Sequence, residues 1–247
     1  MKIILNADDL GYDLLLNQKV FDLMEDHKLT SSTIIVNAPA FNDACRNIPK
    51  NKHCSFGIHL NLTEFKPVSK NKFLYPILDS NGNFSKDIRL INMNRKLMYA
   101  VFDEWSAQVE KLMKKGINIS HIDSHGHIHT DPRLFYVLKK IQKKYSLNRV
   151  RISQNIYSLE NKISSLLVFK KKLWNFALRY FPRTITTNYF GDIEDFIRLP
   201  KKDISRIDTV ELMTHPGGYK ATDENILISN LQEKIKNPVS YISYNEL

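Results

Sequence analysis

Short apolar, β-branched segments alternate with helical segments from the first residues of the chain onwards. That alternation constrains the fold most, because consecutive strands separated by helices must run in the same direction and pair in parallel. Seven segments have strand character: residues 3–7, 33–36, 55–60, 119–123, 149–152, 184–188 and 209–214. Between the first two, residues 14–27 carry Leu16, Val20, Leu23 and Met24 at helical spacing, with Asp13 placed to cap after the Gly11 turn. Another helix is predicted to begin near Asp131, where a cap is followed by Pro132 and then Leu134, Phe135 and Leu138. The pattern predicts an α/β fold: a distorted or incomplete (β/α) barrel of about seven mainly parallel strands, forming one domain over residues 1–247.

Bulk properties remove several function classes. Hydrophobic residues make up 43% and charged residues 25% of the chain, globular proportions with no apolar run long enough to span a bilayer. The N-terminal residues are apolar only briefly before meeting Asp8 and Asp9, which suits a first strand and not a secretory signal, so a cytoplasmic protein is expected. Cys45 and Cys54 lack the spacing of a zinc or redox pair. The net charge of +10 could serve an anionic partner. The lysines, however, cluster as Lys139, Lys140, Lys143 and Lys144 and as Lys170 to Lys172, which suits solvated helix faces, and no nucleic-acid motif occurs.

Two stretches stand apart. Residues 63–92, an insertion after the third strand, are rich in Asn, Lys, Pro and Gly and contain Phe65, Phe73, Tyr75 and Phe84, which suggests a lid over a binding site. Residues 164–181 combine Leu166, Leu167, Phe169, Leu173, Trp174, Phe176, Leu178 and Phe181 with three lysines. A membrane-surface helix fits this composition. A helix packed on the outside of the barrel fits it too, and is the expectation here.

Following each predicted strand to its C-terminal end brings polar residues to one rim: Asp8 and Asp9, Asn37, His59, Asp123 with His125, Arg151, Asn188 and His215. Barrels of this kind keep their active sites there. The strongest local feature is the run from His121 to His129, in which His121, Asp123, His125, His127 and His129 alternate and, in an extended strand, share one face. Burying such groups together without partners is costly, so the run points to a metal centre, although a catalytic metal takes only about three protein ligands. Of the adjacent acids, one can bind the metal while the other accepts a proton from water. Capping alone is the simpler explanation of the pair, but Asp13 is better placed for that task.

Taken together, Asn6-Ala7-Asp8-Asp9-Leu10-Gly11, Thr30-Ser31-Ser32-Thr33 leading to Asn37, Gly57-Ile58-His59-Leu60, the His121 to His129 run and His215-Pro216-Gly217 resemble the YdjC-like carbohydrate deacetylases over most of the chain. Leu10 departs from the Phe usual in the first motif. The resemblance implies a deacetylase-type barrel with one divalent metal, magnesium or zinc, held by Asp9, His59 and His125, with Asp8 as general base. It also suggests a homodimer. His215 is the candidate general acid, and Arg151 or Glu211 would orient the charged groups; His121, Asp123, His127 and His129 would contact substrate or support the ligands. The expected reaction is removal of an acetyl group from an N-acetylated sugar or oligosaccharide. The alternatives are a metal-dependent phosphoesterase, which would usually want a second metal, and a non-catalytic carbohydrate-binding protein, against which the Asp8-Asp9 pair argues.

Overall fold

The computed structural model describes residues 1–85, 88–158, 163–181, 183–217, 223–235 and 238–247. Its strands are β1 (Lys2–Leu10), β2 (Ser31–Ile34), β3 (Ser55–Leu60), β4 (Ile122–Ser124), β5 (Tyr189–Asp192), β6 (Thr209–Thr214) and β7 (Ser240–Tyr241). Its α-helices are α1 (Leu14–Glu25), α2 (Phe41–Asn47), α3 (Arg95–Met113), α4 (Phe135–Tyr145), α5 (Ser165–Tyr180), α6 (Ile193–Ile197), α7 (Lys201–Ile204) and α8 (Glu224–Lys234). The strands pair in parallel in the order β4-β3-β2-β1-β6-β5, and the sheet curls into a half-barrel with helices around it. This is the distorted (β/α) barrel expected from the alternation. The central strand, β1, is buried on both faces through Ile3, Ile4, Leu5 and Ala7, as a helix-covered parallel sheet requires.

Several strand boundaries need correction. β2 lies two residues earlier than expected, and β4 begins only at Ile122. Residues 149–152 and 184–188 do not form strands; they make single bridges, Ile122 to Val150 and Arg149 to Ile185. The same extended segment then reaches β5, where Phe190 O accepts from Asn155 N and Ile156 N. Two segments without continuous pairing thus span the gap between β4 and β5, which is why the barrel is distorted there. β5 itself falls at Tyr189–Asp192, beyond the predicted segment.

The helices begin where side chains can satisfy their free N–H groups. Asp13 caps α1 by accepting from Leu16 N at 2.8 Å. Asp131 caps a single 3-10 turn, Pro132–Leu134, before α4 starts. α3, in a stretch given no assignment above, is capped by Asn94 and buries Leu97, Val101, Trp105, Val109 and Leu112. The start of the segment after β3 packs on α3: buried Glu104 accepts from Val68 N at 2.9 Å and Ser69 N at 2.7 Å.

The C-terminal segment closes the lower end of the sheet. β7 pairs with Lys2 and Ile3 of β1, and Tyr244 enters the barrel fully buried, donating its N–H to Ser55 Oγ at the start of β3. The Tyr244 ring stacks on His121 with centroids 3.5 Å apart and planes 8° from parallel. His121 fits because residue 57 is glycine: a Cβ there would lie 2.4 Å from the imidazole Cε1. Both rings are fully buried, so neither can withdraw. Gly57→Ala is therefore expected to destabilise the fold by about 1–3 kcal/mol through overpacking. A urea melt measures it; an unchanged midpoint would mean that the stack can shift at no cost.

Candidate active site

The two adjacent acids reach the same cleft through a local break in the strand. Between Ala7 and Leu10 the pairing of β1 with β2 shifts register, and Asp9 takes a left-handed conformation with φ 67°. A regular strand would send neighbouring carboxylates to opposite faces. The bulge turns the Asp9 carboxylate toward the cleft while Asp8 stays inside the barrel.

Asp9 Oδ1 lies 2.7 Å from His125 Nδ1 and 3.2 Å from His59 Nε2. One donor atom from each of these three residues falls within 4.8 Å of the other two. His59, at the C-terminal end of β3, sits opposite Asp123 of β4 in register, and its Nδ1 is 2.7 Å from Asp123 Oδ1. A carboxylate only accepts, so Nδ1 carries the proton and, in the neutral ring, Nε2 turns a lone pair toward Asp9. Thr33 Oγ1, 3.0 Å from the other Asp123 oxygen, holds that carboxylate in place. Burial disfavours the charged imidazole, yet Asp123, Asp9 and Asp8 push its pKa up to about 10. Asp9 is held well below the usual carboxylate range, its burial outweighed by hydrogen bonds to His125 and His59. Two imidazole nitrogens and a carboxylate oxygen converging in this way form a site that only a proton or a metal cation can neutralise.

Beneath them lies an ion network centred on Arg151, fully buried. Its Nη1 and Nη2 each lie 2.7 Å from an Asp8 oxygen, its Nη1 is 2.7 Å from Asp123 Oδ2, and its Nε donates to Glu211 at 2.8 Å. The Phe190 ring covers the guanidinium at 4.7 Å. Glu211 also accepts a short hydrogen bond from the Tyr244 hydroxyl. Burial raises the Asp8 pKa, but Arg151, helped by His59 and His215, more than offsets it and keeps the carboxylate well below its ordinary range. Glu211, by contrast, is raised by burial despite the same arginine.

The expectation of a shared face for the His121 to His129 run does not hold. β4 ends at Ser124, and Gly126 and His127 are both left-handed, with φ 58° and 55°, so the chain turns in place of extending. His125 alone of the five reaches Asp9, while Asp123 supports His59 from behind. His121 is buried in the lower stack against Tyr244. His129 bonds Ser124 Oγ and the Arg151 carbonyl and packs edge-on to Trp174. His127 lies edge-on to Phe190, and burial lowers its pKa to about 3. All three are kept neutral by burial.

Two other rim residues also change roles. Asn188 precedes β5 and bonds Asp208 beside the start of β6, at the end of the sheet away from Asp9. Asn37 donates to the carbonyls of Glu64 and Lys66 and so fastens the loop after β3.

A cavity of about 600 Å³ opens over Asp9 and His125 and is lined also by Tyr12, Glu64, Asp192, Ile193, His215 and Leu227. The described residues of the 63–92 segment contribute less than expected. Phe84 is buried in the core, Phe73 and Tyr75 are exposed away from the cavity lining, and Phe65 touches the site only through its edge contact with Tyr12. Sequence reasoning missed Tyr12, Glu64, Thr33, Asp192 and Tyr244. For Glu64 the polar end of β3 was an available signal; for Tyr244 no local signal exists.

The model of the YdjC-like protein family matches residues 2–245. The chain belongs to that family. YdjC-like relatives named carbohydrate deacetylase include one from Listeria monocytogenes serotype 4b (strain CLIP80459), 31% identical with 100% of this chain and 93% of the relative covered. Another, from Oceanobacillus iheyensis, is 26% identical over 88% of this chain and 86% of the relative. A crystal structure from Enterococcus faecalis V583, described as that of a cellobiose-phosphate cleavage protein, shares the fold with a TM-score of 0.76 at 24% identity, covering 99% of this chain and 98% of that one.

Proposed function

We propose that this YdjC-like protein is a metal-dependent carbohydrate deacetylase that hydrolyses the acetamide of an N-acetylated sugar or oligosaccharide. The observation that carries the reading is the convergence of Asp9, His59 and His125, of which Asp9 and His125 line the cavity and His59 is buried behind them, beside the Asp8–Arg151 pair. Family membership and the named relatives supply the substrate class.

Asp9, His59 and His125 would hold one divalent cation, and their mixed carboxylate and imidazole donors suit zinc, manganese or cobalt, and magnesium less typically. When bound, it supplies Lewis-acid activation of water and of the acetamide carbonyl. Asp8, kept ionised by Arg151, accepts the proton from the attacking water. Among the described residues its Oδ2 accepts a hydrogen bond from Arg151 Nη1 alone, which leaves a second lone pair for that proton. Water adds through oxygen to the acetyl carbon, the C–N bond breaks, and acetate leaves as the amine nitrogen takes a proton. His215, which lines the same cavity as His125, donates it. Tyr12, Ile193 and Leu227 offer apolar surface to a sugar ring.

A two-metal phosphoesterase fits less well. The other two clusters of acidic and histidine donors among the described residues, Asp8 with His59 and Asp123, and His121 with Asp123 and Glu211, already give their carboxylates to the Arg151 guanidinium, which supplies the positive charge a second cation would bring. The deciding measurement is acetate release from a panel of N-acetylated sugars, beside phosphate release from a generic phosphoester, each with and without chelator. Chelator-sensitive acetate release is expected, restored by added divalent metal. Phosphate release without acetate release would overturn the reading.

A further inference from the structure

The outer face of α5 has the opposite polarity from what a surface helix needs. Leu166, Phe169, Leu173, Phe176 and Tyr180 recur at helical spacing, and they are 62%, 64%, 58%, 54% and 63% exposed, respectively. The helix packs on the barrel through Trp174, Asn175 and Leu178, on its other side. Packing on the barrel, the expectation from sequence, therefore explains only the buried residues and leaves the apolar stripe unaccounted for. Phe181 continues the stripe beyond the helix, with its ring 6.4 Å from that of Phe176, and it too is exposed.

Lys170 and Lys172 are exposed on either flank of the stripe. No acidic residue occurs between residues 163 and 181, so the face is purely cationic around an apolar centre. We propose that α5 docks this protein on an anionic lipid surface, with Leu166, Phe169, Leu173, Phe176 and Tyr180 entering the boundary between headgroups and acyl chains and the lysines meeting lipid phosphates. The charge pattern decides the occupant. Isologous pairing of two such helices would gather lysines from both copies with no carboxylate on either to offset them. An anionic bilayer meets both the apolar stripe and its cationic margins. No described helix is long and apolar enough to cross a membrane, so the contact is lateral. This inference is independent of the deacetylase reading.

The test is co-sedimentation of the full chain with phosphatidylcholine vesicles, and with vesicles in which about a third of the lipid is phosphatidylglycerol. Binding to the anionic vesicles is expected, weakened by salt and reduced about tenfold or more by Phe169→Glu combined with Phe176→Glu. Lys170→Glu with Lys172→Glu should remove the preference for anionic lipid. All four positions are exposed, and circular dichroism checks that the variants fold. Absence of binding to the anionic vesicles, or binding that the aromatic pair leaves unchanged, would overturn the proposal. So would a dimer by light scattering that the aromatic substitutions dissolve in a protein that ignores vesicles, since the face would then belong to a second copy.

Discussion

Asp8→Asn is expected to bind its divalent metal as the unchanged protein does and to lose kcat by about 10²–10⁴-fold. The amide keeps an oxygen that Arg151 can donate to, so the buried guanidinium is not stranded, but the amide cannot take a proton from water. Asp9→Ala gives the other outcome, with metal content and activity lost together, because Asp9 Oδ1 is the point on which His59 and His125 converge. Elemental analysis and initial rates on the same samples separate the two. Equal loss of metal in Asp8→Asn and Asp9→Ala would show that the roles of the two carboxylates are wrongly divided.

Arg151→Met is expected to be the most destabilising single change near the site, by about 3–5 kcal/mol. Methionine roughly fills the space of the stem but leaves Asp8, Asp123 and Glu211 buried without the cation they share. Desolvated carboxylates cannot remain ionised together at that cost, so they must take up protons or the protein must open. Denaturant unfolding measures the loss. Because His59 is oriented by Asp123, metal affinity should fall as well, although Arg151 is no ligand. A variant of normal stability and normal metal affinity would remove Arg151 from the organising role given to it.

The residues that carry the proposed chemistry were legible in the sequence because they stand at the C-terminal ends of parallel strands, where side chains leave the sheet and enter the cleft. Asp8, Asp9, His59 and His125 are readable in this way, and the structure brings them together. Asn188 was misread by the same logic, since its strand begins one residue later and so puts it at the wrong end. The alternating histidines were misread as one face because alternation is meaningful only while the backbone stays extended. Two left-handed residues, Gly126 and His127, end that condition.

Local pattern alone thus determined the parallel α/β architecture, the capped helices and the set of ionisable residues available at the rim. Hydrophobic periodicity and capping act over a few residues, and those interactions are written where they occur. The partners of the buried charges were decided only by the tertiary structure. Tyr244 meets Ser55 across 189 positions and Glu211 across 33, and Arg151 meets Asp8 across 143. Whether a histidine turns toward a carboxylate at the cleft, as His125 does toward Asp9, or becomes a neutral packing ring, as His121 and His129 do, depends on which charges and how much water surround it, and these are set by chain segments far away in sequence.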